Sequence, residues 1–205
     1  MESYGRKTGI WNEIYAEYQA VDLRNTDLTV EPGFDNCLRE FGEKTSYVLD
    51  FGCGTGDIIF QYIQNFPGKK GVGIDEAELG IEFARKTANM SGYWGLHFFT
   101  GNSSLLAGFG AGEFDGVILS NVLDVMPKKA DESVLRNLDR VLAPGGYWFI
   151  KLNPFYSLKD LKRFDYQKMG DHLYEEDGVL RLHQETTEHW KRILASYGRV
   201  ERYME

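Results

Sequence analysis

A chain of 205 residues with 42% hydrophobic and 26% charged residues holds enough apolar material for one globular domain with a full-sized core, which excludes disorder as the default state. A formal net charge of -8 argues against a nucleic-acid backbone as the main partner, because such binders concentrate Lys and Arg to displace counterions. A small molecule fits better.

From the N-terminus, the first 20 residues mix charges with isolated aromatics and do not read as a leader. No apolar run approaches the length of a membrane span, so a cytoplasmic protein is expected. Helical spacing predicts one helix over Trp11 to Gln19 and, after a polar connector, a second from Pro32 to Phe41 that Gly42 ends. Tyr4, Trp11, Tyr15 and Tyr18 form an aromatic set in this cap. Their spacing suits plain packing, and their faces also suit a cation.

Between residues 46 and about 150, short β-branched or aromatic runs alternate with helical patterns, the signature of βαβ units and a doubly wound, mostly parallel α/β sheet with helices on both faces. The strands are expected at Tyr47 to Asp50, Gly71 to Ile74, His97 to Thr100, Gly116 to Leu119 and Tyr147 to Leu152. Ile58, Ile59, Tyr62, Ile63 and Phe66 recur at helical spacing, as do Val134, Leu135, Leu138, Val141 and Leu142 before the Pro144-Gly145-Gly146 turn. The irregular stretch that follows contains Asp177-Gly178 between two extended runs, a strong hairpin signal. A helix over Thr187 to Tyr197 and a last strand over Arg199 to Met204 complete the pattern. Residues 1–205 thus read as a single domain: a helical cap (1–45), a cofactor-binding core (46–152), a cap insertion with a small β-hairpin (153–188), and a last helix and strand (189–205).

The most informative segment is Ser46 to Asp57, where an apolar strand runs into Gly52, Gly54 and Gly56 and then into an amphipathic helix. Without Cβ atoms the turn can adopt unusual dihedrals, lie directly against a ligand and deliver it to a helix N-terminus. Such a turn, with an acidic residue closing the next strand, serves NAD, FAD or other adenosine ligands. Asp75 is that acidic residue; it either accepts ribose hydroxyls or caps the helix starting at Glu76. Asp57 stands where a dinucleotide fingerprint has its third glycine, and a carboxylate there repels a pyrophosphate. It also reads as a helix cap.

Asp50-Phe51-Gly52-Cys53-Gly54-Thr55-Gly56 resembles the first motif of the class I, Rossmann-like S-adenosylmethionine-dependent methyltransferases of the small-molecule type. Gly73-Ile-Asp75, Thr100-Gly101-Asn102, Phe114 to Asn121 and Arg140 to Gly146 follow in the same order. The resemblance implies S-adenosylmethionine as cofactor, S-adenosylhomocysteine as product and methyl transfer to a small molecule. It implies that Asp50, Gly52, Cys53, Gly54 and Gly56 hold the methionine part and Asp75 with Glu76 the ribose. Asn102 and Ser103 would flank the adenine, with Ser120 and Asn121 near the transferable methyl. Many relatives carry His in place of Asp124, so a histidine base is not implied; Asp124 either holds a cationic or hydroxyl-bearing substrate or is an exposed loop carboxylate. The family's closing hairpin leaves its seventh strand absent or truncated here.

A sulfonium donor is already activated, so positioning and exclusion of water supply much of the rate and no dedicated catalytic residue is assigned. His97, His172, His183 and His189 make no metal-ligand spacing, and Cys37 and Cys53 form no CxxC pair, so no metal is expected. The acceptor is expected between the N-terminal cap and the insertion, with Trp11, Tyr15, Tyr18, Asp124 and Tyr156 as candidate contacts. A non-catalytic S-adenosylmethionine-binding or partner-binding module on the same fold is the alternative; an NAD-dependent oxidoreductase is the third reading. Oligomeric state is not legible.

Overall fold

The computed structural model describes residues 5–126 and 128–204, with side chains for 10–126 and 132–204; Tyr4 of the aromatic set lies outside the described residues. Five strands, β1 (Tyr47–Phe51), β2 (Lys70–Asp75), β3 (Leu96–Thr100), β4 (Phe114–Ser120) and β5 (Leu142–Lys151), form one parallel sheet in the order β3-β2-β1-β4-β5. The chain winds outward from β1 to β3, then returns to the other side of β1. That reversal opens a crevice at the carboxyl ends of β1 and β4, where open α/β sheets bind ligands.

Strand periodicity divides the core. Val48 and Ile118 face one hydrophobic cluster with Leu38, Ile59, Tyr62, Ile81 and Phe149, whereas Leu49, Val117 and Leu119 face a second with Leu135, Leu138 and Trp190. A central parallel strand covered on both faces reads as a continuous apolar run for this reason.

The helices are α1 (Gly5–Tyr15), α2 (Pro32–Lys44), α3 (Asp57–Asn65), α4 (Glu78–Ser91), α5 (Lys128–Val141), α6 (Leu158–Arg163) and α7 (Thr187–Leu194). Glu31 caps α2 by accepting from Phe34 N–H at 2.7 Å, with Pro32 at the first helical position. Contrary to the expected stop at Gly42, α2 runs to Lys44. Gly42 is buried inside it because the Phe66 ring occupies the space a side chain would need, and the Lys69 ammonium takes the carbonyls of Gly42 and Thr45 at the helix end. The first helix ends at Tyr15, short of the expected Gln19, where a turn from Tyr15 O to Tyr18 N replaces it.

Beyond β5 the chain forms a separate antiparallel sheet, β6 (Gln167–Gly170), β7 (Leu173–Glu176) and β8 (Val179–His183), in that order. The hairpin expected at Asp177-Gly178 is present: both residues have positive φ, 52° and 76°, as a two-residue turn matching strand twist requires. The sequence pattern missed β6. The expected Pro144-Gly145-Gly146 turn is a break in register inside β5, since Phe114 pairs with Leu142 and Gly116 with Tyr147.

The expected strand at Arg199 to Met204 does not form. Its residues are exposed and are held along α2 instead, by Lys44 to Glu201 at 2.6 Å, by an Arg202–Glu40 ion pair and by Met204 against Cys37. Among the described residues no strand follows β8, so β5 is an edge of the parallel sheet. Among them, too, no helix is long and apolar enough to cross a membrane.

A Cβ on Gly42 would lie 2.0 Å from Phe66. Gly42→Ala is therefore expected to destabilise by about 1–3 kcal/mol of overpacking, despite its better helix propensity. Urea unfolding with an unchanged or higher midpoint would contradict this account of the helix end.

Candidate active site

Three glycines shape the turn between β1 and α3. Gly52, Gly54 and Gly56 have φ of 74°, 52° and 87°, a region that costs other residues roughly 1–2 kcal/mol each. The turn is stitched to the end of β2: Gly52 and Cys53 N–H groups donate to Ile74 O at 2.7 and 3.1 Å. The Asp75 carboxylate spans two elements, accepting from Gly54 N–H through Oδ2 and from Ala77 N–H through Oδ1, both at 2.8 Å. The N-cap residue of α4 is Ala77, so Asp75 supports the helix start from outside it. Asp57 is the first residue of α3 rather than its cap, and its Oδ1 accepts the Thr55 hydroxyl at 3.1 Å.

The electrostatics here are one-sided. Asp50, at 1% exposure, is the next-to-last residue of β1 beneath the loop, with Oδ2 unpartnered among the described residues. Burial, reinforced by Asp75 and Asp57, pushes its carboxyl up to about 8. Burial also raises Asp75, opposed by the Ala77 and Gly54 N–H groups, and it raises the Cys53 thiol, reinforced by Asp50 and Asp75. Among the described residues no cation acts on Asp50. A ligand with positive charge would relieve this arrangement; one with two phosphates would worsen it.

The α1 helix lies over the same loop. The Tyr15 hydroxyl is 2.7 Å from the position a Cβ on Gly54 would take, and its ring packs on Gly80. Burial, then Asp75 and Asp57, drives the phenol well above its ordinary range. Asn12 Oδ1 accepts from Leu79 N–H at 2.9 Å, supplying a side-chain bond that Ala77 cannot. Trp11 stacks on Tyr15 at 5.9 Å and stands 5.8 Å from the Arg181 guanidinium of β8. Tyr18 meets Tyr15 edge-on at 5.6 Å but is 51% exposed.

On the other side of the crevice β4 ends at Ser120, and Asn121 takes φ of 54°, uncommon for a residue other than glycine. Its N–H donates to Lys151 O at 2.9 Å and its Oδ1 accepts from Lys151 Nζ at 2.5 Å. Asp124 sits in the 3-10 turn Leu123–Val125. Expected either as a substrate contact or as an exposed loop carboxylate, it is only 2% exposed, because β8 packs on the turn and Asn153 N–H donates to its Oδ2. Its Oδ1 is buried without a partner, and burial raises its carboxyl. Gln184 pins the backbone of Tyr156, accepting from its N–H at 2.7 Å and donating to its carbonyl at 3.1 Å.

The remaining candidates are more open. Asn102 is exposed, and its Oδ1 accepts Ser104 N–H at 3.0 Å as the cap of the 3-10 helix Ser103–Gly108. Ser103 is half-buried, and Glu76 is exposed beside Asp75. His172, His183 and His189 gather around Glu185 at 3.5–3.7 Å, but among the described residues no group of His, Cys, Asp and Glu has a geometry that could hold a metal ion.

A family profile described as "Methyltransferase domain" matches residues 48–146, from β1 into the register break of β5. The match covers just under half of the chain and makes this segment similar to a methyltransferase domain. The chain is 26% identical over 110 residues to an uncharacterized protein of Rickettsia prowazekii (strain Madrid E), a match covering 54% of this chain and 44% of that one. The matched segment thus spans less than half the length of its curated relative. Among solved structures, the fold is similar to 1,6-didemethyltoxoflavin-N1-methyltransferase of Burkholderia thailandensis, crystallised with its substrate and S-adenosylhomocysteine (TM-score 0.65, 19% identity, 96% of this chain and 79% of that one). It is also similar to the PH0226 protein of Pyrococcus horikoshii OT3 (TM-score 0.61, 22% identity, 90% and 88%). At these identities the likeness speaks for the fold.

Within the matched segment, the sequence-predicted Asp50, the glycine loop and Asp75 meet in one place, with Tyr15 brought onto them from outside it. Lys151 was not predicted; ending a strand beside Asn121 is the one signal it offered. The raised Asp50 carboxyl predicts a pH effect without ligand. Between about pH 4, where the unfolded carboxyl ionises, and about 8, native Asp50 keeps a proton that the unfolded chain has lost. Stability therefore falls as pH rises through that window, by at most about 1.4 kcal/mol per pH unit for this group. Asp50→Asn should flatten the slope and melt higher than wild type at the alkaline end. An identical pH profile for both proteins would refute the assignment.

Proposed function

We propose that this protein transfers a methyl group from S-adenosylmethionine to a small-molecule acceptor. The observation that carries this reading is the convergence of Asp50, Asp57 and Asp75 on a left-handed glycine turn, with no cation among the described residues acting on Asp50. A ligand carrying a sulfonium and an ammonium suits that field, whereas the pyrophosphate of NAD meets Asp57 at the start of α3. When bound, S-adenosylmethionine supplies an electrophilic methyl group.

In this reading Asp50 and the turn from Gly52 through Cys53 and Gly54 to Gly56 hold the methionine part. Asp75 and Glu76 hold the ribose, Asn102 and Ser103 flank the adenine, and Ser120 and Asn121 face the methyl group. Asp75 then has two tasks, since both its oxygens already fix backbone N–H groups. Trp11, Tyr15, Tyr18, Asp124 and Tyr156 are the acceptor contacts in this reading, Tyr15 lying over the glycine turn and Asp124 in the turn after β4. The small-molecule acceptor is supported by the activity named for the Burkholderia neighbour. Residues 1–205 act as one cytoplasmic domain, with the cap and the 153–188 insertion enclosing a core matched to the family.

Thermal shift provides the first test: S-adenosylhomocysteine should raise the melting temperature and NADH should not. Release of S-adenosylhomocysteine in the presence of metabolite pools then separates an enzyme from a non-catalytic binding module. Asp75→Ala removes charge-assisted bonds and should weaken S-adenosylhomocysteine binding about 10- to 100-fold by calorimetry, with the circular dichroism spectrum retained. Unchanged affinity would remove Asp75 from the site.

A further inference from the structure

The carboxyl ends of β4 and β5 hold a group that cofactor binding does not use. Asp124 is a carboxylate with divided environments: Oδ2 accepts from Asn153 N–H, while Oδ1 is buried and unpartnered. A clamp on the β5 exit needs one oxygen, and an asparagine would serve as well. Leaving a buried acceptor unmade is costly, so an unpaired oxygen here calls for a role.

The surroundings define that role. Burial raises the Asp124 carboxyl against hydrogen bonds from Asn153 and from its own N–H and, more weakly, against the Lys151 ammonium at the end of β5. That ammonium is tied to Asn121, at the end of β4. Burial, then Tyr166 and Asp124, raises the Tyr156 phenol. Tyr156 meets Phe164 edge-on at 5.3 Å, and Phe164 lies 5.7 Å from Tyr166, making an aromatic wall. From the third side β8 packs on the turn, ends in His183 and leads to Glu185, whose nearest oxygen is 3.5 Å from His183 Nε2.

We propose that Asp124 receives the proton of an aromatic acceptor, an O–H or N–H borne on a ring that packs against Tyr156. This rests on the methyl-transfer reading. The acceptor's lone pair forms the new bond to the methyl carbon, the electrons of the breaking C–S bond go to sulfur and neutralise the sulfonium, and the acceptor's proton passes to Asp124 Oδ1. The step needs no other reactant. Its raised carboxyl makes Asp124 a better base than an exposed aspartate.

The test uses the full chain saturated with S-adenosylhomocysteine and reads probe binding by ligand-observed NMR. The probes are phenol and aniline, each paired with its methylated counterpart, anisole and N,N-dimethylaniline. At least one protic probe should bind about tenfold or more tightly than its counterpart, and Asp124→Asn, whose Oδ1 can still accept from Asn153, should abolish the preference. With S-adenosylmethionine, Asp124→Asn should lower kcat for that probe by about 10²- to 10⁴-fold while S-adenosylhomocysteine affinity stays within twofold. 4-Nitrophenolate, which has no proton to give, should lose little. Equal binding of protic and methylated probes, or an unchanged kcat in Asp124→Asn, overturns the proposal. If Asp124→Asn fails to fold, the wild-type probe preference decides alone. If S-adenosylhomocysteine itself does not stabilise the wild type, the methyl-transfer reading fails first, and that result is distinguishable.

Discussion

The Asp75 carboxylate ties the glycine turn after β1 to the start of α4. One oxygen holds Gly54 N–H in a turn with three left-handed residues, and the other holds Ala77 N–H at the start of α4. The turn fixes where α3 begins, and α4 fixes where α1 docks, through Asn12 on Leu79 and Tyr15 on Gly80. A carboxylate accepting two backbone N–H groups is strengthened by its charge, so burial raises Asp75 without freeing it. The crevice, its floor and its cover thus share one anchor.

That anchor adds to an unbalanced charge set. Asp50, Asp57 and Asp75 sit together, and the nearby Tyr15 and Cys53 are pushed further from ionising. Such a site costs stability at neutral pH, where an apolar isostere at Asp50 would be easier to bury. The lost stability is recovered when a cation arrives, which couples occupancy to folding. Preorganised carboxylates of this kind favour binding because no solvent need be rearranged around them when the ligand enters.

The central sheet was legible because its signal is local. Val48 and Leu49 on opposite faces, the stripe Ile59, Tyr62 and Ile63, and Asp177-Gly178 all follow from period and turn chemistry within a few residues. The errors lie where distant segments decide. Gly42 resembles a helix end until Phe66 and Lys69 are brought against it from beyond α3. Gln167–Gly170 has no alternating apolar face and is a strand only because β7 offers a partner. The 199–204 tail reads as a strand but exposes its side chains, so α2's charges hold it better than a sheet edge would. The site divides in the same way: the glycine turn and Asp75 are motif residues, whereas the burial of Asp124 and the placement of Lys151 depend on the β5 exit and on β8.

The family match ends at residue 146, yet the cover of the crevice comes from outside it. On one side α1 reaches the glycine turn through Tyr15; on the other Trp11 meets Arg181 of the antiparallel sheet. That sheet continues to Gln184, which pins Tyr156, and packs on the turn carrying Asp124. One chain of contacts therefore runs from the glycine turn to the turn carrying Asp124 through segments outside the matched region. Removing α1 would uncover the glycine turn and removing the antiparallel sheet would uncover the turn that carries Asp124. The rest of residues 1–45 cannot be treated as a cover, because Leu38 of α2 packs with Val48 and Ile59 in the core that holds the parallel sheet.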